Sequence, residues 1–404
     1  MKSVVFLCDG MADYPFDGLG GKTPLDLAKH PNMDEIARRG TFGLAQTVPN
    51  GMKPGSDNAN LSVFGYDPLV YYTGRSPLEA VNMGITLNAG DVAYRCNTVT
   101  LSGSDNIEDC IMADYSAGEI SSEESRQLIE AMDKHFRTEK VELHPGISYR
   151  HCLVLRDAAT GAQLTPPHDI SHKPVKGHLP EGENGQLLLE MMKYSYSVLK
   201  DHPVNQKRVA EGKNPANCLW FWGEGRKPAL TSFKEKFGVE KGGVISAVDL
   251  IRGIGLCAGL EVLPVDGVIT GTYETDFDAK ARACIKALED GHQFVYIHME
   301  GPDECGHHGQ VQEKIGCIED IDTKVIGPVM EYLKNCGDDY AVLVMPDHPT
   351  PLELLTHVSD PVPFALYSSK APLDNGEVTY TEQQARDSGV FIPRACELME
   401  KLVK

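Results

Sequence analysis

Residues 294–309 read FVYIHMEGPDECGHHG, a short, mainly apolar run that gives way at once to Glu300, Asp303 and His307. Two distant stretches repeat the design. VVFLC at 4–8 ends at Asp9, and YAVLVM at 340–345 ends at Pro346, Asp347 and His348. Apolar runs of this length suit strands buried on both faces of a parallel sheet covered by helices. Open α/β sheets build their sites just beyond the carboxyl ends of such strands. Three runs that each deliver an acid or a histidine therefore predict one site assembled from distant parts of the chain.

Helical patterns lie between these runs. PNMDEIARRG at 31–40 has Pro at a helix start and Gly at its end. Residues 276–290 and 313–334 show helical spacing of apolar positions, with Gly327–Pro328 predicting a break or kink in the second. The middle of the chain is different. Residues 91–100, 107–114 and 141–155 alternate and turn, around a helical segment at 121–136 whose Ser–Ser–Glu–Glu start resembles a capping box. This predicts an inserted α+β domain at about 90–215 between core segments 1–89 and 216–404, with the polar stretch 203–217 as its exit linker.

Composition narrows the function classes. At 404 residues, with 41% hydrophobic and 24% charged, the chain is an ordinary globular protein. A formal net charge of -20 argues against nucleic acid and against an anionic membrane surface as partner. An anionic substrate would then have to be drawn by local positive charge or bound metal. The eleven cysteines are scattered without a C-x-x-C pair and read as reduced thiols of a cytoplasmic protein. The N-terminal apolar run is too short for a signal-peptide core, and no segment approaches a membrane span.

The clusters carry the chemistry. Asp303 and His307 are four residues apart, which on a helical turn puts both on one face. The same spacing favours His307 over its neighbour His308. Asp347 and His348 are adjacent between prolines, and His357 follows nine residues later. With Asp9 these make three carboxylates and three imidazoles, a mixed set suited to Zn²⁺, Mn²⁺ or Fe²⁺ rather than Ca²⁺. Six ligands exceed the needs of one tetrahedral ion, whereas two neighbouring ions would use them all. Ser56 follows the Pro54–Gly55 turn and opens a helical stretch, where free N–H groups favour an anion. By position alone it fits a helix cap; beside metal it becomes a nucleophile. His298 and Glu300 lie close to this set and fit a supporting role.

The conjunction resembles a family. LCDGMADYP at 7–15, TVPNGMKPGSD at 47–57, YTGRSPLEA at 72–80, PDECGHHG at 302–309 and MPDHPTP at 345–351 are similar to the archaeal type of cofactor-independent phosphoglycerate mutase, in the alkaline phosphatase superfamily. The resemblance runs through nearly the whole chain. It implies an α/β fold with an alkaline-phosphatase-like core, a mostly parallel sheet flanked by helices, and an inserted domain that closes over the site. It implies two divalent ions per chain, from among Mn²⁺, Zn²⁺, Mg²⁺ and Co²⁺, and no 2,3-bisphosphoglycerate. Asp303, His307 and His357 would hold one ion; Asp9, Ser56, Asp347 and His348 would hold the other; and Ser56 would be phosphorylated in turnover.

A phosphoglycerate needs cations for its carboxylate and phosphate, preferably Arg. Arg75, Arg95, Arg150, Lys173 and Arg252 are candidates, with His151, His168 and Asp169 beside them on the insert. Lys280 is equally consistent with a place near the seryl phosphate and with a solvated helix face. The first expected reaction is interconversion of 2- and 3-phosphoglycerate. Relatives of this mutase type proposed as homoserine kinases supply an alternative, although no G-x-x-x-x-G-K-[ST] loop is present. A metal-dependent phosphatase or phosphodiesterase would use the same residues.

Overall fold

The three apolar runs become neighbouring strands. In the computed structural model, which describes residues 1–404, Lys2–Cys8 lies between Phe294–Met299 and Tyr340–Met345, parallel to both. Cys8 pairs with Met299 and Leu7 with Met345, so the strands end at one level and Asp9, Glu300 and Pro346 leave them there. Gly242–Ile245 and Glu261–Val262 extend the sheet past Phe294–Met299. Val362–Ser368, Thr41–Ala45 and Phe391–Ile392 extend it past Tyr340–Met345. Only Val362–Ser368 runs against its neighbours; the other pairings are parallel.

Val4, Val5, Phe6 and Leu7 are all fully buried, as a sheet covered on both faces requires. Phe6, Ile297 and Val344 pack with Met33 and Ile36 of the helix Pro31–Arg39 and with Cys284 and Leu288 of Phe277–Glu289. On the opposite face Tyr296 stacks on Phe64, ring centroids 3.9 Å apart, and Phe233 meets Phe64 edge-on. Burying each such side chain stabilises the fold by about 1.5–3 kcal/mol.

The predicted break at Gly327–Pro328 falls earlier. The chain is helical over Val311–Asp320, widens into a π-helical turn over Ile321–Ile326, and resumes as Gly327–Asn335. Pro328 is the second residue of that last helix, directly after the wide turn. The wide turn presents the buried Asp322 to the N-terminus of Pro31–Arg39. Its Oδ1 accepts from the Met33 N–H at 2.8 Å and its Oδ2 from the Asn32 N–H at 3.2 Å. His30, in the capping position, gives no side-chain cap of its own. The helix takes its cap from a residue 290 positions away.

The chain divides into two compact units, Met1–Tyr72 with Leu230–Lys404 and the continuous Thr73–Ala229. The second is α+β. Ile111–Asp114, Val92–Ser102, Arg150–Leu155, Val141–His144 and Cys218–Gly225 form its antiparallel sheet. Helices Ser122–Phe136 and Gly185–Leu199 cover a core around Trp220. The bounds are wider than 90–215 because Ser76–Asn82 packs on this sheet and Cys218–Gly225 is one of its strands. The stretch 203–217, expected as a linker, opens with the helix Pro203–Ala210. Some of its polar residues serve the interior. Asn205 donates to the carbonyls of Leu199 and Ala216, and the buried Arg208 donates to Glu124 and to the Ala117 carbonyl. At Asn205 and Arg208 polarity marks internal hydrogen bonding, while Gln206, Lys207, Glu211 and Lys213 are exposed.

Asp322→Ala leaves the buried Met33 N–H and the half-buried Asn32 N–H of the Pro31–Arg39 helix without acceptors, and is expected to lower the free energy of unfolding by about 1–3 kcal/mol. Asp322→Asn, which keeps an acceptor oxygen, should lose less. Urea unfolding of the two variants beside the parent measures this, and an unchanged Asp322→Ala midpoint would remove the cap from the account.

Candidate active site

The segments that leave the three strand ends bring the six predicted ligands into two adjoining groups. Within each group, one ligand atom per residue lies within 4.8 Å of the others. The first is Asp303, His307 and His357. The short helix Gly301–His307, with Pro302 in its first turn, sets Asp303 and His307 one turn apart. His307 Nε2 is 3.4 Å from Asp303 Oδ2, and His357 Nε2 is 3.3 Å from Asp303 Oδ1. The two Nε2 atoms are 2.8 Å from one another. His307 Nδ1 donates to the Leu355 carbonyl at 3.0 Å, which turns Nε2 inward. Leu355 holds that carbonyl from a left-handed backbone, φ +56°. His308 points elsewhere, is exposed, and pairs with Glu304.

The second group is Asp9, Asp347 and His348, with Ser56 at its edge. His348 Nε2 is 3.3 Å from Asp347 Oδ2, 3.6 Å from Asp9 Oδ1 and 3.2 Å from Ser56 Oγ. Ser56 is the first residue of the helix Ser56–Val63, with Gly55 before it as cap. One turn on, Asn60 donates to Asp347 Oδ2 at 2.8 Å and is itself held by the Tyr296 hydroxyl. Asp347 Oδ1 accepts from the N–H groups of Gly10 and His348. His348 and His357 bring the groups together, ring centroids 4.0 Å apart.

His298 fixes Asp9. Ser246 Oγ accepts from the Val248 N–H at 2.9 Å and lies 3.2 Å from His298 Nδ1, to which its own proton can go. His298 Nε2 then donates to Asp9 Oδ2 at 2.9 Å. Burial keeps this imidazole neutral, its pKa pushed down to about 3. The result is a buried Ser–His–Asp line, but Ser246 is no nucleophile: its oxygen is enclosed and engaged. Asp9 Oδ1 is left buried without a hydrogen-bond partner. Burial, followed by the charges of Asp347 and Asp303, pushes the Asp9 carboxyl well above its usual range. Burial opposes the charge on Asp303 too, but hydrogen bonds from His307 and His357 prevail and hold it well below its usual range. His307 is raised to about 9, first by its bond to Asp303. A cation answers all three demands: an orphaned carboxylate oxygen, facing imidazole nitrogens, and crowded negative charge.

A buried ion pair secures the segment after Asp347–His348. Lys314 Nζ donates to Asp13 Oδ2 at 2.7 Å and to the Thr350 carbonyl at 2.9 Å, and Asp13 accepts from the Leu352 N–H. Both side chains are almost wholly enclosed.

The residues expected to meet substrate fall in both units. In the second, Arg75 and Arg95 grip the two oxygens of Glu79 at 2.7 and 3.0 Å. Burial opposes the Glu79 charge, but Arg95 and then Arg75 prevail and depress its pKa. Arg95 also lies 4.1 Å over the Trp222 ring, against which His168 sits edge-on. Arg150 lies 5.6 Å from the Tyr149 ring. His151, next along the strand, is buried, and its Nδ1 accepts from the Gly146 N–H. Asp169 and Lys173 are exposed; Lys173 Nζ donates to the Asp169 carbonyl. In the first unit, Arg252 Nε donates to the Ser246 carbonyl at 2.6 Å. Lys280 is wholly buried rather than on a solvated face. Its Nζ donates to the His298 carbonyl at 2.9 Å, and burial lowers its pKa to about 8.

Asn60, Thr350, Ser246, Asp13 and Lys314 were not among the predicted site residues. Asn60 had a usable signal, since it follows Ser56 by the same four-residue spacing that picked out His307. The other four are reached only through tertiary contacts.

Comparison with known proteins agrees along the whole chain. A family model described as 2,3-bisphosphoglycerate-independent phosphoglycerate mutase matches residues 37–205. A relative from Geobacter sulfurreducens is 49% identical over 403 residues, covering 100% of both chains. One from Methanosarcina acetivorans, named 2,3-bisphosphoglycerate-independent phosphoglycerate mutase, is 46% identical, again over 100% of both. Among solved structures, a protein from Pyrococcus horikoshii matches with a TM-score of 0.81 at 29% identity, over 99% of this chain and 96% of its own. The cofactor-independent phosphoglycerate mutase of Thermoplasma acidophilum gives 0.69 at 25% identity, over 100% of both chains. Identity near one residue in two, sustained from end to end, shows that the chain belongs to the 2,3-bisphosphoglycerate-independent phosphoglycerate mutase family.

Proposed function

We propose that this chain interconverts 2-phosphoglycerate and 3-phosphoglycerate through a phosphoserine on Ser56, without 2,3-bisphosphoglycerate. The observation that carries the reading is the position of Ser56 Oγ, 3.2 Å from His348 Nε2 at the edge of two carboxylate–imidazole groups. Full-length relatives named as mutases support this reaction over the homoserine kinase alternative. No helix is long and apolar enough to cross a membrane. We place the reaction in the cytoplasm, a reading that the eleven free cysteines support.

The donor set fits two divalent cations. Asp303, His307 and His357 would hold one, and Asp9, Ser56, Asp347 and His348 the other, with Mn²⁺, Zn²⁺, Mg²⁺ and Co²⁺ as candidates. Bound there, the ions supply positive charge for the phosphoryl oxygens and lower the pKa of the Ser56 hydroxyl. Ser56 Oγ takes the phosphoryl group: its bond to phosphorus forms as the bond to the glycerate oxygen breaks, and the serine proton ends on the departing hydroxyl. Transfer back to the other hydroxyl of the same glycerate gives the isomer and restores the serine. The N-terminus of Ser56–Val63 favours the phosphate's negative charge, while Asn60 keeps Asp347 in place beside it. Arg75, Arg95 and Arg150 of the second unit are the candidate fork-shaped donors for the anionic groups of this small substrate, and Arg252 is the candidate cation of the first unit. Water must be kept from the phosphoserine, since its hydrolysis is the competing loss.

With bound metal and an unchanged circular dichroism spectrum, Ser56→Ala is expected to cut conversion of 3-phosphoglycerate by at least about 10³-fold. Full turnover in that variant would end the phosphoserine reading. The parent should give 2-phosphoglycerate as its main product. Free phosphate would indicate a phosphatase, and phosphohomoserine made from ATP and homoserine would indicate the kinase.

Metal binding should fall as the pH is lowered through about 9, because a proton then competes with the cation at His307. Calorimetric titration with Mn²⁺ in buffers of different ionisation enthalpy should show protons released on binding and two ions taken up per chain. An affinity that does not change with pH, or one ion per chain, would contradict the arrangement.

A further inference from the structure

Thr350 lies between the two carboxylate–imidazole groups. Its Oγ1 is 2.5 Å from Asp303 Oδ1 in the first and 3.3 Å from His348 Nδ1 in the second. The direction of both bonds follows from the atoms. A carboxylate oxygen only accepts, so the single hydroxyl proton of Thr350 goes to Asp303. The hydroxyl can then only accept from His348. Nδ1 of His348 must therefore carry its proton, leaving the Nε2 lone pair facing Asp9, Asp347 and Ser56.

The backbone leaves Thr350 little freedom to do otherwise. Its N–H donates to the Ala12 carbonyl at 3.1 Å, and its own carbonyl accepts from buried Lys314. Two glycines clear space for it. A Cβ on Gly10, which has φ +61°, would come within 2.6 Å of Thr350 Oγ1, and a Cβ on Gly306 within 2.5 Å of the Thr350 carbonyl oxygen. The hydroxyl is fully enclosed, so no water replaces it.

We propose that Thr350 is a positioning residue shared by both groups: one hydroxyl orients Asp303 for one cation and fixes the donor nitrogen of His348 for the other. This rests on the two-cation reading above and adds to it a single side chain on which both affinities depend. Outer partners of metal ligands commonly change affinity by about 10- to 100-fold.

The test compares Thr350→Val, which keeps the shape and removes the hydroxyl, with Thr350→Ser, which keeps the hydroxyl. Mn²⁺ binding is followed by calorimetry and electron paramagnetic resonance. Thr350→Val should weaken both binding steps by about 10-fold or more, while Thr350→Ser stays within about 3-fold of the parent. Parental constants in Thr350→Val, or a loss confined to one step, would overturn the shared role. A second measurement needs no variant to fold. Nitrogen NMR of the metal-free parent should show His348 protonated at Nδ1, and protonation at Nε2 would overturn the proposal. A parent that binds fewer than two Mn²⁺ refutes the two-cation reading instead, and the His348 tautomer still decides whether Thr350 orients that ring.

Discussion

Asp9, Asp303 and Asp347 are three carboxylates with almost no access to water, close enough that the negative charges of Asp347 and Asp303 make Asp9 harder to ionise. Most of the surrounding structure answers that crowding. Asp347 is satisfied by two backbone N–H groups and Asn60, Asp9 by neutral His298, and Asp303 by two imidazoles and a hydroxyl. The register of the parallel strands enforces the crowding, because it brings Asp9 and Asp347 off neighbouring strand ends together. A buried acid that could drift would relieve its own repulsion. These cannot drift, so the site stores a demand for positive charge.

The sheet and the acids gathered at its strand ends were legible in the sequence for a common reason. A strand buried on both faces needs a continuous apolar run, and the polar residue that ends it stands out against that run. The same contrast found Asp9, Asp303 and Asp347 without any knowledge of pairing order. Thr350 and Ser246 were not legible, because a threonine or serine beside a proline or an alanine carries no mark of its partners. Lys314 stands in a helical pattern that does not reveal its partner, and only the fold brings Asp13 to it. Composition misled in the second unit. Residues 203–217 include Asn205 and Arg208, which satisfy buried backbone groups, and polarity by itself does not separate that role from a linker. Likewise Gly327–Pro328 drew attention to a helix break, whereas the irregularity that matters is the preceding wide turn with Asp322.

The arginines of the second unit show how a cluster of like charges can be held in order. Glu79 holds Arg75 and Arg95 together, and Trp222 supports the plane of Arg95. Repulsion among like charges is offset by one shared carboxylate, which leaves an excess of positive charge and guanidinium planes already set. The entropy of fixing those long side chains is spent in folding.

The division of the chain also orders its assembly in time. Lys2–Cys8 precedes both of its sheet neighbours, Phe294–Met299 and Tyr340–Met345, by hundreds of residues, and Ser3 bonds to the Leu402 carbonyl. Thr73–Ala229 is continuous and has its own core, so it has its partners in hand while the first strand still waits. The first strand is apolar and unpaired throughout that interval, and sheet closure waits until those later segments are made.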